Sequence, residues 1–150
     1  MSDLMFNQVP GYKKGDWKNW CVHNDKEIKG FMGPEYRWLS NFWPCLIKIN
    51  NFTFKSTEAA YQAYKSRDSE IWEYFAKLDP YEAKKQSKGI KLRSDWNQIK
   101  VDVMFVVNFL KFDRNDDLKA KLLATGDKYL EELNQYRDTF WGVDVKMGGF

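Results

Sequence analysis

The sequence predicts an α+β protein, mostly helical, with a small antiparallel sheet in its N-terminal third. Three observations carry that expectation. Two short β-prone runs, Leu46–Ile49 and Phe52–Phe54, flank Asn50-Asn51, and asparagine tolerates the positive φ of a tight hairpin turn. From Ser56 onward helix-opening signals follow one another. Between Asp95 and Lys111, residues Trp96, Ile99, Val103, Val106, Val107 and Leu110 recur at the helical period.

Taken in order, residues 1–25 mix polar and aromatic side chains with the breakers Pro10, Gly11 and Gly15, which predicts an irregular arm ahead of a domain spanning 26–150. Ile28–Met32 is expected as a short strand, and Leu39 to Pro44 as loop. The hairpin follows. Ser56 or Thr57 can cap a helix running to Lys65, with Glu58 in the first turn, where the helix dipole favours an anion. A second helix is expected from Ser69 to Leu78. Asp79-Pro80 reads as a cap followed by proline at the first helical position, opening a helix that stops near Gly89. After the long helix, Asn115 or Asp116 opens another that ends near Gly126. Asp127 to Leu133 is expected as a short helix.

Composition narrows the function. A chain of 150 residues suits one domain, with roughly two-thirds of its unfolded surface removed from water. Lys+Arg 24 against Asp+Glu 21 leaves +3, too weak a bias for a protein that coats DNA, though a local cluster suffices for a nucleotide. Aromatics form 17% of the chain, enough to build a core and reserve some rings for flat ligands. Cys21, Cys45 and the single His23 are not at metal-motif spacing, so no metal is expected. One histidine also disfavours Ser/His/Asp or Cys/His catalysis and leaves carboxylates, lysines and tyrosines as candidates. The polar N-terminus without a signal-type apolar stretch, and two free thiols, predict a reducing cytosol; the apolar run Val103–Val107 is far too short to span a bilayer.

The run Ser56-Thr57-Glu58-Ala59-Ala60-Tyr61-Gln62-Ala63-Tyr64-Lys65 concentrates the chemistry. Glu58, Gln62 and Lys65 fall at i, i+4 and i+7 and share one helical face. A carboxylate, an amide and an amine in one stripe suit the wall of a polar pocket.

Four segments, in this order, resemble the YbiA-like family, also called NADAR. Phe31 to Phe42 carries Tyr36, Leu39, Ser40, Asn41 and Phe42, similar to G-x-Y-x-x-L-S-N-F. Ser56 to Lys65 is similar to S-x-E-x-x-Y-Q-A-x-K. Leu92-Arg93-x-Asp95-Trp96 precedes Met104 and Lys111-Phe112. Leu123-x-Thr125-Gly126-Asp127 leads to Leu130-x-Glu132 and Asp138-x-x-Trp141-Gly142. The resemblance covers residues 31 to 142. Two departures stand out: Ser66 replaces a phenylalanine, and the sequence ends at Gly148-Gly149-Phe150 where the family's G-x-N-x-L-G-x-x-L-M tail begins. The expectation is that this tail is dispensable here or that something else completes the pocket.

The resemblance implies an N-glycosidase that needs no cofactor. Its substrate would be a ribose joined through C1′ to a guanine-type base, as ADP-ribosyl guanine in a small molecule or in nucleic acid, or a ribosylamino-pyrimidine phosphate of riboflavin synthesis. DNA is then an expected partner. In this reading Glu58 is the essential carboxylate, Asp138 orients the ribose hydroxyls or assists proton transfer, and Lys65 is a phosphate cation or an imine-forming nucleophile. Trp96 stacks on the flat ring, Ser40 and Asn41 meet ribose or phosphate oxygens, and Tyr36, Gln62 and Trp141 complete the substrate contacts.

Plainer readings exist for the same residues. Glu58 suits a first-turn charge, Trp96 a core position, Asp138 and Ser40-Asn41 turns, and Lys65 a solvated or locally paired amine. Lys84, Lys85, Lys88, Lys91 and Arg93 suit a solvated face as well as a phosphate-attracting one. Two rivals to the enzyme follow: a module that binds ADP-ribose or a guanine nucleotide without turnover, and a small basic protein whose aromatics stack on single strands.

Overall fold

The structure, a computed structural model, describes residues 16–145. It is α+β and mainly helical. The described residues form two compact units, one built from 16–40 and 124–145, the other from Asn41–Leu123.

In the first unit a 3-10 turn, Asp16–Asn19, precedes β1 (Val22–His23), β2 (Glu27–Lys29) and a second 3-10 turn, Arg37–Leu39. The later segment adds β5 (Tyr129–Glu131), β6 (Leu133–Asn134) and β7 (Val143–Asp144). β1 pairs with β2 antiparallel, and β2 pairs with β5 parallel in the register Ile28↔Leu130. Ile28 is fully buried at the centre of this sheet. β6 and β7 form a separate parallel pair with Leu133↔Val143. A Cβ on Gly142 would lie 2.7 Å from the Glu132 carbonyl oxygen, so only glycine lets the chain pass close enough to start β7.

Two expectations are corrected here. Asp127–Leu133 is not a helix. Gly126 adopts φ 58, and Tyr129 N–H reaches Lys26 O while Gly30 N–H reaches Glu131 O, so the segment's backbone groups are spent in a ladder. The expected antiparallel pairing in the first third is present, and β5, β6 and β7 add parallel pairs beyond it. Residues 16–25 of the expected arm carry a 3-10 turn and β1; the rest of that arm, and the end at Gly148-Gly149-Phe150, lie outside the described residues.

In the second unit β3 (Ile47–Ile49) and β4 (Phe52–Phe54) form the anticipated hairpin, with Asn50 at φ 54. Then come α1 (Thr57–Ala63), α2 (Ser69–Phe75), α3 (Pro80–Gln86), α4 (Trp96–Arg114) and α5 (Asp116–Ala124). The caps are local and strong. Ser56 Oγ accepts the Ala59 N–H at 3.0 Å, and Asp79 accepts that of Glu82 at 2.8 Å ahead of Pro80. Asp68, not Ser69, caps α2, accepting the Glu70 N–H at 2.9 Å.

Every residue of α1 is buried, and α2, α3 and α4 pack around it. Such a helix ordinarily reads as hydrophobic all round. α1 instead carries Glu58 and Gln62 into the interior. The long helix departs from its anticipated stripe: Trp96 and Val107 are buried, Val106 is exposed, and Lys111 takes a fully buried position. Its ammonium lies 5.1 Å from the Phe112 ring centroid, while Phe105 and Phe109 stack on each other in the open.

Candidate active site

Helix α1 begins where Asn41 holds it. The Asn41 carbonyl accepts the Glu58 N–H at 3.1 Å and the Thr57 hydroxyl at 3.0 Å, and its Oδ1 accepts the same hydroxyl at 3.1 Å. Its amide leans on Met104 sulfur at 3.5 Å, which Asn108 also approaches at 3.2 Å. Asn41 therefore sets where Glu58 sits, whatever else it touches.

One turn along, Gln62 Nε2 donates to Glu58 Oε1 at 2.8 Å. Both side chains are buried, 7% and 6% exposed. A donor aimed at a carboxylate oxygen fixes its rotamer. The other end of the amide is unspent: Gln62 Oε1 is shielded from solvent and has no hydrogen-bond partner among the described residues. A buried acceptor without a donor costs on the order of 1–3 kcal/mol, a cost natural proteins tolerate mainly where a ligand or water supplies the proton.

The helix ends at Ala63, and Lys65 lies in the tight turn beyond, its N–H on Gln62 O at 3.2 Å. Its amine is half-buried. Burial and the Lys84 charge hold its pKa below the ordinary lysine value, against an upward pull from Glu58. Lys65 Nζ stands 5.8 Å from the Tyr61 ring centroid, and that ring meets Trp96 at 5.1 Å and 60°. The second unit thus gathers Glu58, Gln62, Lys65 and Trp96, with Tyr61 linking amine to indole. Trp96 is itself a core residue, 6% exposed. The sequence alone links neither Tyr61 to Trp96 nor Lys84 to Lys65. Their positions in and near the Ser56–Lys65 motif were the available signal.

The basic run does not form one face. The Lys84 charge acts on Lys65 and its ammonium lies 5.7 Å from the Phe42 ring centroid, whereas Lys91 and Arg93 line a separate cleft.

The remaining candidates lie in the first unit. Asp138 closes a turn: its Oδ1 accepts the Phe140 and Trp141 N–H groups at 3.1 and 3.0 Å. Its backbone is held at both polar atoms by Asn134, which donates to Asp138 O at 2.7 Å and accepts its N–H at 3.1 Å. Asn134, buried and unforeseen from sequence, is the organiser of this loop. Trp141 is half-buried and packs edge-on to Phe140 at 4.7 Å. Tyr36 packs edge-on to His23 at 4.7 Å, and Ser40 ends the second 3-10 turn.

The architecture is of the YbiA type, with the acid and amide on a buried helix and the amine in the turn that ends it, not on the helical face expected for all three. The solved NMR structure of Escherichia coli YbiA matches with a TM-score of 0.73 at 28% identity, covering 86% of this chain and 79% of that one. The chain belongs to the NADAR domain family, which residues 30–148 match. Among similar proteins, an N-glycosidase of Nostoc punctiforme is 34% identical over 120 residues, 76% of each chain. The N-glycosidase YbiA of Escherichia coli is 32% identical over 113 residues, 72% of this chain and 69% of that one. A riboflavin biosynthesis protein of Vibrio vulnificus is 37% identical over 107 residues; they make up 69% of this chain but only 29% of that larger protein. The expected enzyme class, a hydrolase of N-glycosyl bonds, agrees with the names of the first two. Among the described residues no helix is long and apolar enough to cross a membrane.

Proposed function

We propose that this chain is an N-glycosidase that hydrolyses the C1′–N bond between a ribose and a guanine-type base or a related aminopyrimidine. The observation that carries the reading is the buried Glu58–Gln62 pair, a carboxylate oriented by an amide whose own acceptor awaits a donor. Breaking a C1′–N bond builds positive charge on C1′ and O4′ and negative charge on the departing ring. A fixed anion in a water-poor wall stabilises the cation more than the neutral ground state, which is what lowers the barrier. Glu58 serves as that anion and takes a proton from the attacking water. The water oxygen bonds to C1′, the C1′–N electrons leave with the base, and the departing nitrogen gains the proton that Glu58 took from water. Gln62 Oε1 accepts a hydrogen bond from substrate or from the water. Trp96 and Tyr61 wall the site, and Asn41 anchors the start of its helix.

Lys65 supports a second route. An amine with a lowered pKa can attack the C1′ of a ring-opened ribose and form an imine, releasing the base, and water then frees the sugar. ADP-ribosyl guanine, free or in DNA, is the substrate we favour, because Lys65 and Lys84 offer two cations to a diphosphate. The riboflavin-linked relative supports ribosylamino-pyrimidine phosphates as the competing class.

Incubating the chain with ADP-ribosyl guanosine, with the same adduct in an oligonucleotide and with a ribosylamino-pyrimidine phosphate identifies the substrate by released sugar. Glu58→Gln is expected to lower turnover about 10²–10⁴-fold. Unchanged turnover would remove Glu58 from the chemistry, and tight binding without release from any substrate would make the chain a binding module. Borohydride trapping during turnover, with Lys65→Ala as control, decides between imine and direct water attack.

A further inference from the structure

A cleft of about 730 Å³ opens in the second unit at the residue after Lys65, lined by the stretches 66–75 and 86–94. That volume lies in the range that holds small organic ligands. No residue of the Glu58 stripe lines it. One wall is apolar, made by Ile71, Tyr74 and Leu92. Tyr74 and Leu92 are 47% and 54% exposed, so their apolar surface is uncovered. The rim carries Arg67, Lys91 and Arg93.

The two arginines are not equivalent. Arg93 is largely buried and gives Asp95 two hydrogen bonds, at 2.7 and 3.3 Å. It also ties the cleft to the site already described, its N–H reaching Lys65 O at 2.8 Å. Arg67 reaches the same carboxylate at 3.0 Å, but its side chain is 64% exposed. Arg67 can therefore swing to another anion while Arg93 keeps Asp95 paired, an exchange of one charge-assisted bond for another. The acid in the cleft, Asp68, is turned to its own helix as the α2 cap. What remains is an exposed tyrosine and leucine beside a movable guanidinium and the exposed Lys91. A planar ring with an anion attached fits that combination.

We propose that this cleft is a second binding site that takes a nucleoside phosphate, its ring lying on Tyr74 and Leu92 and its phosphate meeting Arg67 and Lys91. Such a unit has two sources: the adenylate end of an ADP-ribosyl substrate, or the nucleotide adjoining the scissile one in a strand. The site stands on the cleft itself; only the choice between sources rests on the glycosidase reading.

The test is backbone-amide NMR on the full chain, titrated with AMP, ADP-ribose and a short single-stranded oligonucleotide. AMP should shift amides within 66–74 and 91–93, and Arg67→Gln with Lys91→Gln should weaken it at least tenfold without lowering the melting temperature. ADP-ribose shifting both the cleft and α1 assigns the adenylate source. Oligonucleotide shifting the cleft, with affinity falling steeply in salt while ADP-ribose leaves the cleft unmoved, assigns the strand. The proposal is overturned if none of the three moves cleft amides, or if the double variant binds AMP as tightly as the native chain. Cleft binding is expected to persist in Glu58→Gln. A chain that binds AMP there yet cleaves no N-glycoside would sink the glycosidase reading and leave the cleft standing.

Discussion

Two buried polar side chains, Gln62 in α1 and Asn134 in β6, have the same donor and acceptor chemistry and spend it differently. Asn134 gives both ends of its amide to backbone: its Nδ2 to Asp138 O, its Oδ1 to the N–H groups of Tyr136 and Asp138. Gln62 gives one end to a carboxylate and leaves the other without a donor among the described residues. A closed network holds a loop in place. A half-open one, in a helix surrounded by packed helices, holds a charged group ready and keeps one position for something that arrives. On the proposed reading the first serves folding and the second chemistry, and the contrast can be broken experimentally.

Asn134→Ala should produce the largest stability loss. It strands backbone groups of the 134–138 loop, at a cost of about 2–3 kcal/mol in thermal or urea unfolding. Gln62→Ala should show the opposite profile. Removing an amide whose acceptor is already unsatisfied costs little stability, but Glu58 loses its orienting donor. Turnover should fall about tenfold to a hundredfold, the equivalent of a charge-assisted hydrogen bond of roughly 1.5–3 kcal/mol. If Gln62→Ala unfolds the protein as Asn134→Ala does, and turnover per folded molecule is unchanged, this division is wrong.

Asp138 refines the comparison with a smaller effect. Its Oδ1 caps two N–H groups, so Asp138→Asn keeps the acceptor and should change stability by under about 1 kcal/mol, whereas Asp138→Ala should cost about 1 kcal/mol or more. Equal melting points for the two variants would mean the turn does not depend on that oxygen.

What could be read from the sequence was what is local. Ser56 capping, the Asn50 turn, the Asp79-Pro80 helix start and the shared face of Glu58 and Gln62 all depend on residues a few positions apart. β5 was misread because its pairing partner, β2, lies about a hundred residues earlier, and nothing in Asp127–Leu133 announces a parallel ladder. Asn134 escaped notice for a related reason: its partners are backbone atoms, which no side-chain pattern reports. The α4 stripe was half right because Lys111 is buried while Val106, Phe105 and Phe109 are exposed, an inversion that periodicity cannot foresee. At the candidate site the motif supplied residue types, but only coordinates distinguish a carboxylate that merely caps from one bonded at 2.8 Å by a buried amide.

The least conspicuous effect should come from Lys65, and its sign separates a poised amine from a solvated one. Burial holds the folded pKa below the ordinary 10.5 that the unfolded chain presents. Between the two values the unfolded state binds a proton that the folded state has released, so stability contributed at this position rises with pH across that window. Below the window both states carry the charge, and the folded protein bears its full desolvation penalty. The amine is partly solvated, which keeps the effect modest. Urea midpoints of the native chain and Lys65→Met, measured from pH 7 to 10.5, should therefore converge as pH rises, the native chain gaining relative to the variant. Curves that stay parallel would place Lys65 in ordinary solvent, and with that the physical basis for an imine route would be gone.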